Sequence, residues 1–375
     1  MSWGIRVSLR FSQPGFRSGL PAVAGERSYP LISRRSFAAW LIAPLLVPRT
    51  IFASRSASLG RSQESSATAV GGDRYFEFHS GFWINLHLFL YLEAVTRKGA
   101  GDIGREAEFT ADSTISTTLA GNDKTAWDSA VAYYQANLIS LDLLTNDKMR
   151  AIKNALENLE NESSVSRANL NPGVVHALDT ASSIYRTNWW PAHDKANRDW
   201  IAAVTPLVDQ NGNQLTQKIS TAYETPWPDA PIRVDVVAYA NSSGAFTTLH
   251  PTRITLSSQD PSNQKLTALE SLLHEASHTM VEASGNLILN DYSAHRRTAP
   301  PDLLHAILYF TTGYYMTQVY SDYIPYADGN NLWQQVAWSG FHAAILKDWQ
   351  PHLDGKSTVR DALSQLVADV LAATR

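Results

Sequence analysis

The sequence predicts an α+β protein that is mainly α-helical, with a small antiparallel β-sheet packed against one central helix. Three observations predict it. Apolar residues recur at helical spacing through most of the chain, strict alternation is confined to the stretch just after residue 232, and no internal repeat or low-complexity tract interrupts the pattern. The chain has 375 residues, 44% of them hydrophobic, which is enough to bury a large core.

The elements follow in order. Glu77 to Ala94 is apolar and aromatic, with His79, Trp83, His87 and Leu90 spaced along one helical face, and reads as a buried helix. Lys98 to Gly121 is polar and rich in Gly and Thr, and reads as loop. Lys124 to Leu144 is helical, with Trp127, Val131 and Leu138 on one side, and Asn146 to Leu159 is a second helix closed by an Asn/Ser cluster. Tyr185 to Val208 reads as a helix starting at Pro191, because proline suits a first turn.

The texture changes at Ile232. Ile232, Val234, Val236 and Ala238 alternate with Arg233, Asp235 and Val237, which predicts a half-buried strand. Asn241-Ser242-Ser243-Gly244 reads as a turn, and Phe246 to Leu256 as the returning strand. Asp260-Pro261 starts a helix that Gly285 is placed to end. Pro300-Pro301 opens the next, running to about Tyr320, and two more follow near Leu332–Leu346 and Thr358–Ala373.

Residues 1–57 differ from the rest. Of the 31 basic and 35 acidic residues, eight Arg and only Glu26 fall in this stretch, so the remaining 23 bases and 34 acids leave a net charge of −11 on the body. Ser33-Arg34-Arg35-Ser36-Phe37, then the apolar run Ala38 to Val47, then small residues around Ala53 to Ala57, resembles a bacterial twin-arginine signal. Pro44 within the apolar run and Arg49 near the cleavage region depart from that pattern. The resemblance implies passage through the twin-arginine export machinery and a periplasmic or extracellular destination. The competing readings are a mitochondrial transit peptide, since the stretch is rich in Arg and Ser, and a disordered tail. Residues 58–72 read as linker, and 73–375 as a single mainly helical domain.

An acidic body, with no basic stripe interleaved with aromatics and no phosphate-binding glycine loop, argues against nucleic acid as partner. No apolar run reaches the roughly 20 residues of a membrane-spanning helix, so no stable membrane anchor is expected in the mature chain. There is no Cys, which excludes disulfides, thiolate ligands and Cys nucleophiles, so any metal must be held by His, Asp or Glu.

Leu273-His274-Glu275-Ala276-Ser277-His278-Thr279-Met280 carries the chemistry. On a helix, residues four apart share a face, so His274 and His278 can grip one metal ion. Glu275 beside the first of them can take a proton from a water in the open position of that ion. Leu266, Leu269, Leu273, Ala276 and Met280 form an apolar stripe that would bury the helix. The structural alternative is an exposed helix whose His and Glu are ordinary surface residues.

With this motif the sequence resembles the zincin metallopeptidases, closely over residues 271–281 and loosely over about 232–320. The resemblance implies a zincin-like core, Zn2+ as cofactor, His274 and His278 as ligands, and Glu275 as general base. It also implies a peptide or other amide substrate, aligned by edge pairing with the strand before the helix. The metzincin branch needs a Gly and a third His where Val281 and Ser284 stand. In the gluzincin branch the third ligand is a Glu on a later helix, but Pro301-Asp302-Leu303-Leu304-His305-Ala306-Ile307-Leu308-Tyr309 has none. His305 is therefore the expected third ligand, with Asp302 orienting its ring and Glu282, Asp291 and His295 as rivals. The bland reading of His305 is a satisfied core histidine.

His193, beside Trp189, Trp190 and Asp194, is either a polar tip on a pocket wall or a first-turn residue without chemistry. His79 and His87 need partners if buried, in the site or elsewhere. Tyr309, Tyr314, Tyr315, Tyr323 and His342 are candidates to stabilise an oxyanion, or core packing. The expected function is an exported zinc-dependent hydrolase, a peptidase in its likeness. The alternatives are a zincin-like protein that binds metal or ligand without hydrolysing peptides, and a helical protein with a chance motif.

Overall fold

The computed structural model describes residues 74–98, 119–335 and 338–373. The expected leader at 1–57, the linker at 58–72 and nearly all of the expected loop at 98–121 lie outside the described residues. The described part is mainly helical with one four-stranded sheet, as the sequence predicts. No described helix is long and apolar enough to cross a membrane.

The first predicted helix divides in two. β1 (Phe76–His79) is a strand, and α1 (Phe82–Lys98) begins only after Ser80-Gly81. The backbone N–H of Phe82 donates to Asn161 Oδ1 at 3.1 Å, so the group that starts α1 comes from far along the chain and leaves no local signal. α2 (Gly121–Asn137) and α3 (Asp147–Leu159) follow, α3 being capped by the Asn146 side chain. The expected helix at 185–208 is in fact the junction of two longer ones, α4 (Pro172–Asn188) and α5 (Trp190–Ala222). Asn171 caps α4 with Pro172 in its first turn. The break falls at Trp189, which leaves helical geometry and stacks on Trp127 at 4.5 Å between ring centroids. Pro191, which has no N–H to continue the α4 ladder, sits in the first turn of α5, close to where the sequence places a helix start.

The sheet is mixed rather than antiparallel. Its order is β1, β2 (Ile232–Val237), β4 (Arg253–Ser257), β3 (Ala245–Thr248). β1, β2 and β4 are parallel, and only β3, at the edge, is antiparallel to its neighbour, with Thr247 opposite Ile254 and Thr248 opposite Arg253. The predicted return strand Phe246–Leu256 is itself the hairpin. Pro251 has no N–H to give a ladder and divides it. β4 then slots between β3 and β2.

β2 is also buried on both faces rather than one. Val234 and Val236 are fully buried, while on the other face Arg233 pairs with Asp235 and donates to the Glu157 carbonyl oxygen of α3, both at 2.8 Å. There Glu157 accepts from Arg253 Nη1 at 2.8 Å and pairs with Lys153 Nζ at 2.8 Å, and Lys153 also donates to Thr248 Oγ1 at 3.0 Å. Buried charges persist because each finds an opposite partner.

On the other side of the sheet, Pro261–Asn263 forms a single 3-10 turn, and α6 (Leu266–Ser277) starts after it. α6 contacts β3, β4, α5 and α8 (Leu303–Val319). It is buried continuously from Ala268 to Ser277, so the expected apolar stripe is only part of its environment. Burying Leu269, Leu272 and Leu273 contributes about 2–3 kcal/mol each. The polar side chains of α6 must therefore find their partners inside the protein or remain unsatisfied at a cost. The helix ends at Ser277 rather than at Gly285, which sits inside the next helix, α7 (Glu282–Ala294). In place of the helix expected at 332–346, a short 3-10 turn at Leu332–Gln334 precedes a continuous helical run at 341–353 with a π segment at Ile345–Trp349. α9 (Val359–Ala373) closes the described chain and packs on α7.

Candidate metal centre

His274 and Glu275 lie in the last turn of α6. His278 follows its formal end but keeps helical backbone angles, φ −58° and ψ −23°, so it remains one turn beyond His274. The break immediately after it, through Met280 and Val281, turns the chain away into α7. α8 then brings His305, in its first turn, back to α6.

The three imidazoles converge. His274 Nε2 and His305 Nε2 are 3.0 Å apart, and a ligand atom from each of the three histidines lies within 4.8 Å of the other two. Two nitrogens bound tetrahedrally at about 2.05 Å from one ion are about 3.3 Å apart, so the spacing suits a shared metal. Burial, reinforced for His274 by His305 and His278 and for His278 by His305, holds both motif imidazoles well below the ordinary histidine range, and burial alone brings His305 down to about 4. Burial thus favours the neutral form of all three rings, and a neutral imidazole carries one lone pair with which it can bind a cation. The Nε2 atoms of His274 and His305, facing each other at 3.0 Å, need a proton or a cation between them. The residues therefore fit a metal ion, and the donor set is purely imidazole.

Glu275 is 6% exposed and is held from the sheet. The Thr247 hydroxyl on β3 donates to it, with Glu275 Oε2 at 2.6 Å and the Glu275 carbonyl oxygen at 2.9 Å. Burial pushes the carboxyl up to about 7, and the Thr247 hydrogen bond acts the other way.

Tyr309, one turn after His305, lays its ring on His274 with centroids 3.8 Å apart and planes 24° apart. Tyr326 stacks on the far side of Tyr309 at 5.2 Å and 20°. Trp338 lies 6.1 Å from His305 and 5.8 Å from Tyr309.

The rivals for the third ligand are elsewhere. Glu282 is exposed at the start of α7, Asp291 Oδ2 accepts from Ser364 at 2.7 Å, and His295 is exposed beside the Asp291 carbonyl. Asp302 precedes α8, but its Oδ1 is buried without a hydrogen-bond partner among the described residues, so that oxygen does not orient His305 as expected. His193 is not a wall of this site: its Nδ1 is 2.8 Å from the Tyr185 hydroxyl, and its ring packs on Phe89. His87 likewise meets Tyr134 at 2.8 Å, and His79 pairs with Glu160. Tyr314 bonds Asp354, and His342 stacks on Trp333 at 4.4 Å.

Thr247, Tyr326 and Trp338 are the residues that sequence reasoning misses. Each reaches the site through tertiary contact, and none stands at a spacing that marks it.

No family model, curated protein or solved structure matches the chain. Its function must be argued from the chemistry of this centre.

Proposed function

We propose that the protein is a zinc-dependent hydrolase that cleaves an amide bond, with a peptide as substrate. The observation that carries this reading is the convergence of His274, His278 and His305 beside the buried, sheet-anchored carboxyl of Glu275. The three neutral imidazoles would hold the ion and leave one position open. Bound there, zinc would supply Lewis acidity that brings the pKa of water from about 16 to about 7.

Glu275 takes the proton from the attacking water as the new carbon–oxygen bond forms. It then returns that proton to the amide nitrogen as the carbon–nitrogen bond breaks, so the carboxylate is restored. Thr247 keeps its Oε2 in place between these transfers. β3 is the strand beside this carboxyl, and an extended substrate would align along it.

A second reading, metal or ligand binding without hydrolysis, is favoured by the depth of the site, since His274 is 1% and His278 9% exposed. Two measurements separate the readings. Elemental analysis of the purified chain should give near one zinc, lost in His274→Ala and in His305→Ala. Glu275→Gln should keep the zinc and lose about 100-fold or more of the turnover on a peptide pool. Zinc without turnover in the parent supports the second reading. No zinc after incubation with the ion overturns the hydrolase reading and metal binding alike.

A further inference from the structure

A histidine that binds metal through one ring nitrogen almost always donates the other N–H to a carboxylate, carbonyl or water, which fixes the plane of its ring. His274 does not. Its Nδ1 is buried and has no hydrogen-bond partner among the described residues. What bears on this imidazole instead is the flat face of Tyr309 at 3.8 Å, backed in turn by Tyr326.

The second ring of that stack is held by a residue with no part in the proposed chemistry. Glu270 stands one turn before His274 on α6 and is completely buried. Its Oε2 accepts from the Tyr323 hydroxyl at 2.5 Å and from the backbone N–H of Tyr326 at 2.8 Å. Both donors belong to the segment that follows α8. Gly313 on α8 closes the arrangement, because a Cβ there would come within 2.7 Å of Pro325 Cβ and 3.1 Å of Glu270 Oε1. Burial pushes the Glu270 carboxyl up to about 7, with the hydrogen bonds from Tyr323 and Tyr326 acting the other way. A packing role alone would be served better by an apolar side chain.

We propose that Glu270 is a positioning residue for His274: by fastening residues 323–326 to α6 it keeps Tyr326 against Tyr309 and Tyr309 against the imidazole. Ring stacking then orients this histidine, as a hydrogen bond on the second nitrogen does elsewhere. The same helix supplies the ligand and, four residues earlier, the anchor that aims it. The consequence for metal affinity rests on His274 being a ligand, as proposed above; the consequence for the ring does not.

The test uses the full chain as parent, Glu270→Ala, Glu270→Gln and Tyr326→Leu. The first readout is NMR of the histidine ring protons in metal-free protein, with His274 assigned by its loss in His274→Ala. A ring stacked on tyrosine carries a ring-current shift. That shift should collapse towards unstacked values in Glu270→Ala and Tyr326→Leu and survive in Glu270→Gln, whose amide oxygen still accepts from both donors. The second readout is zinc affinity against a competing chelator, expected to fall about tenfold in Glu270→Ala. A folded Glu270→Ala protein with the His274 resonances and zinc affinity of the parent overturns the proposal and leaves Glu270 a structural anchor. Should Glu270→Ala fail to fold, Tyr326→Leu decides alone, since it keeps the Glu270 carboxyl and the backbone donor; unchanged His274 resonances there also overturn the proposal. A parent that binds no zinc defeats the metal reading, while the resonances still decide the positioning.

Discussion

At the scale of single residues, the carboxyl of the site takes its hydrogen-bond partner from far along the chain. Glu275 relies on Thr247, 28 positions earlier in the chain. Thr247→Val removes that donor at nearly constant volume. A hydrogen bond to an ionisable group of about 1.5 kcal/mol corresponds to roughly a tenfold fall in kcat with KM little changed, and Thr247→Ser should restore most of it. An unaltered kcat in Thr247→Val would mean that the carboxyl finds its place without the sheet. Glu270 makes a separate prediction about stability. Its pKa is about 7 in the fold and near 4.5 in the unfolded chain, so between these values the folded state holds the extra proton and stability falls as pH rises. Below pH 4.5 the group contributes no slope, and above 7 the loss is complete. Glu270→Gln should therefore flatten the decline of unfolding free energy from pH 4.5 to 7, measured by urea denaturation at several pH values. A profile as steep as the parent's would show that Glu270 ionises normally.

His274, Glu275, His278 and His305 were legible in the sequence for different reasons. The first three share a five-residue pattern that one helix turn brings together. His305 is the lone imidazole of an apolar helix, where an unsatisfied ring is costly. The orienting residues were not legible, because the stack on His274 and the donor to Glu275 depend on how distant elements approach.

The same division holds among the elements. Helices with long periodic patterns, such as α3, α8 and α9, lie close to where periodicity puts them. The departures occur where tertiary contacts decide. β1 reads as the start of α1 because its four residues are too short to show a period, and only pairing with β2 makes them a strand. The edge hairpin was misplaced although Pro251 was a visible interruption. The end of α6 was set at Gly285 by its residue type, whereas the helix stops where the chain must turn to leave His278 facing His305. Close approach of elements gives the prediction at this scale. Gly313→Ala puts a methyl group on α8 where Pro325 already stands, and should destabilise the fold by about 1–3 kcal/mol in urea unfolding. A change under about 0.5 kcal/mol would mean that the 323–326 segment yields easily.

For the whole molecule, the sheet separates two environments. One face meets the aromatic core of α1, α2 and α4 and the ionic cluster with α3; the other meets α6 and the histidines. The acidic body has no counterpart to the arginine-rich first 57 residues, whose proposed role is export. Fusing residues 1–60 to a reporter tests it. Arg34→Lys/Arg35→Lys should block export, and transport that survives the double change would remove the twin-arginine reading while leaving the metal centre untouched.

The two neighbouring threonines of β3 have a mechanical meaning. Thr247 is fastened to Glu275 on one face of the sheet, and Thr248 to Lys153 on the other. Because side chains alternate, a slip of one residue would exchange the two hydroxyls and undo both fastenings at once. The strand is thus a ruler riveted at its zero mark. A peptide lying along it, as proposed, would be measured in steps of two residues from the carboxyl of Glu275, and where it is cut would be a matter of counting.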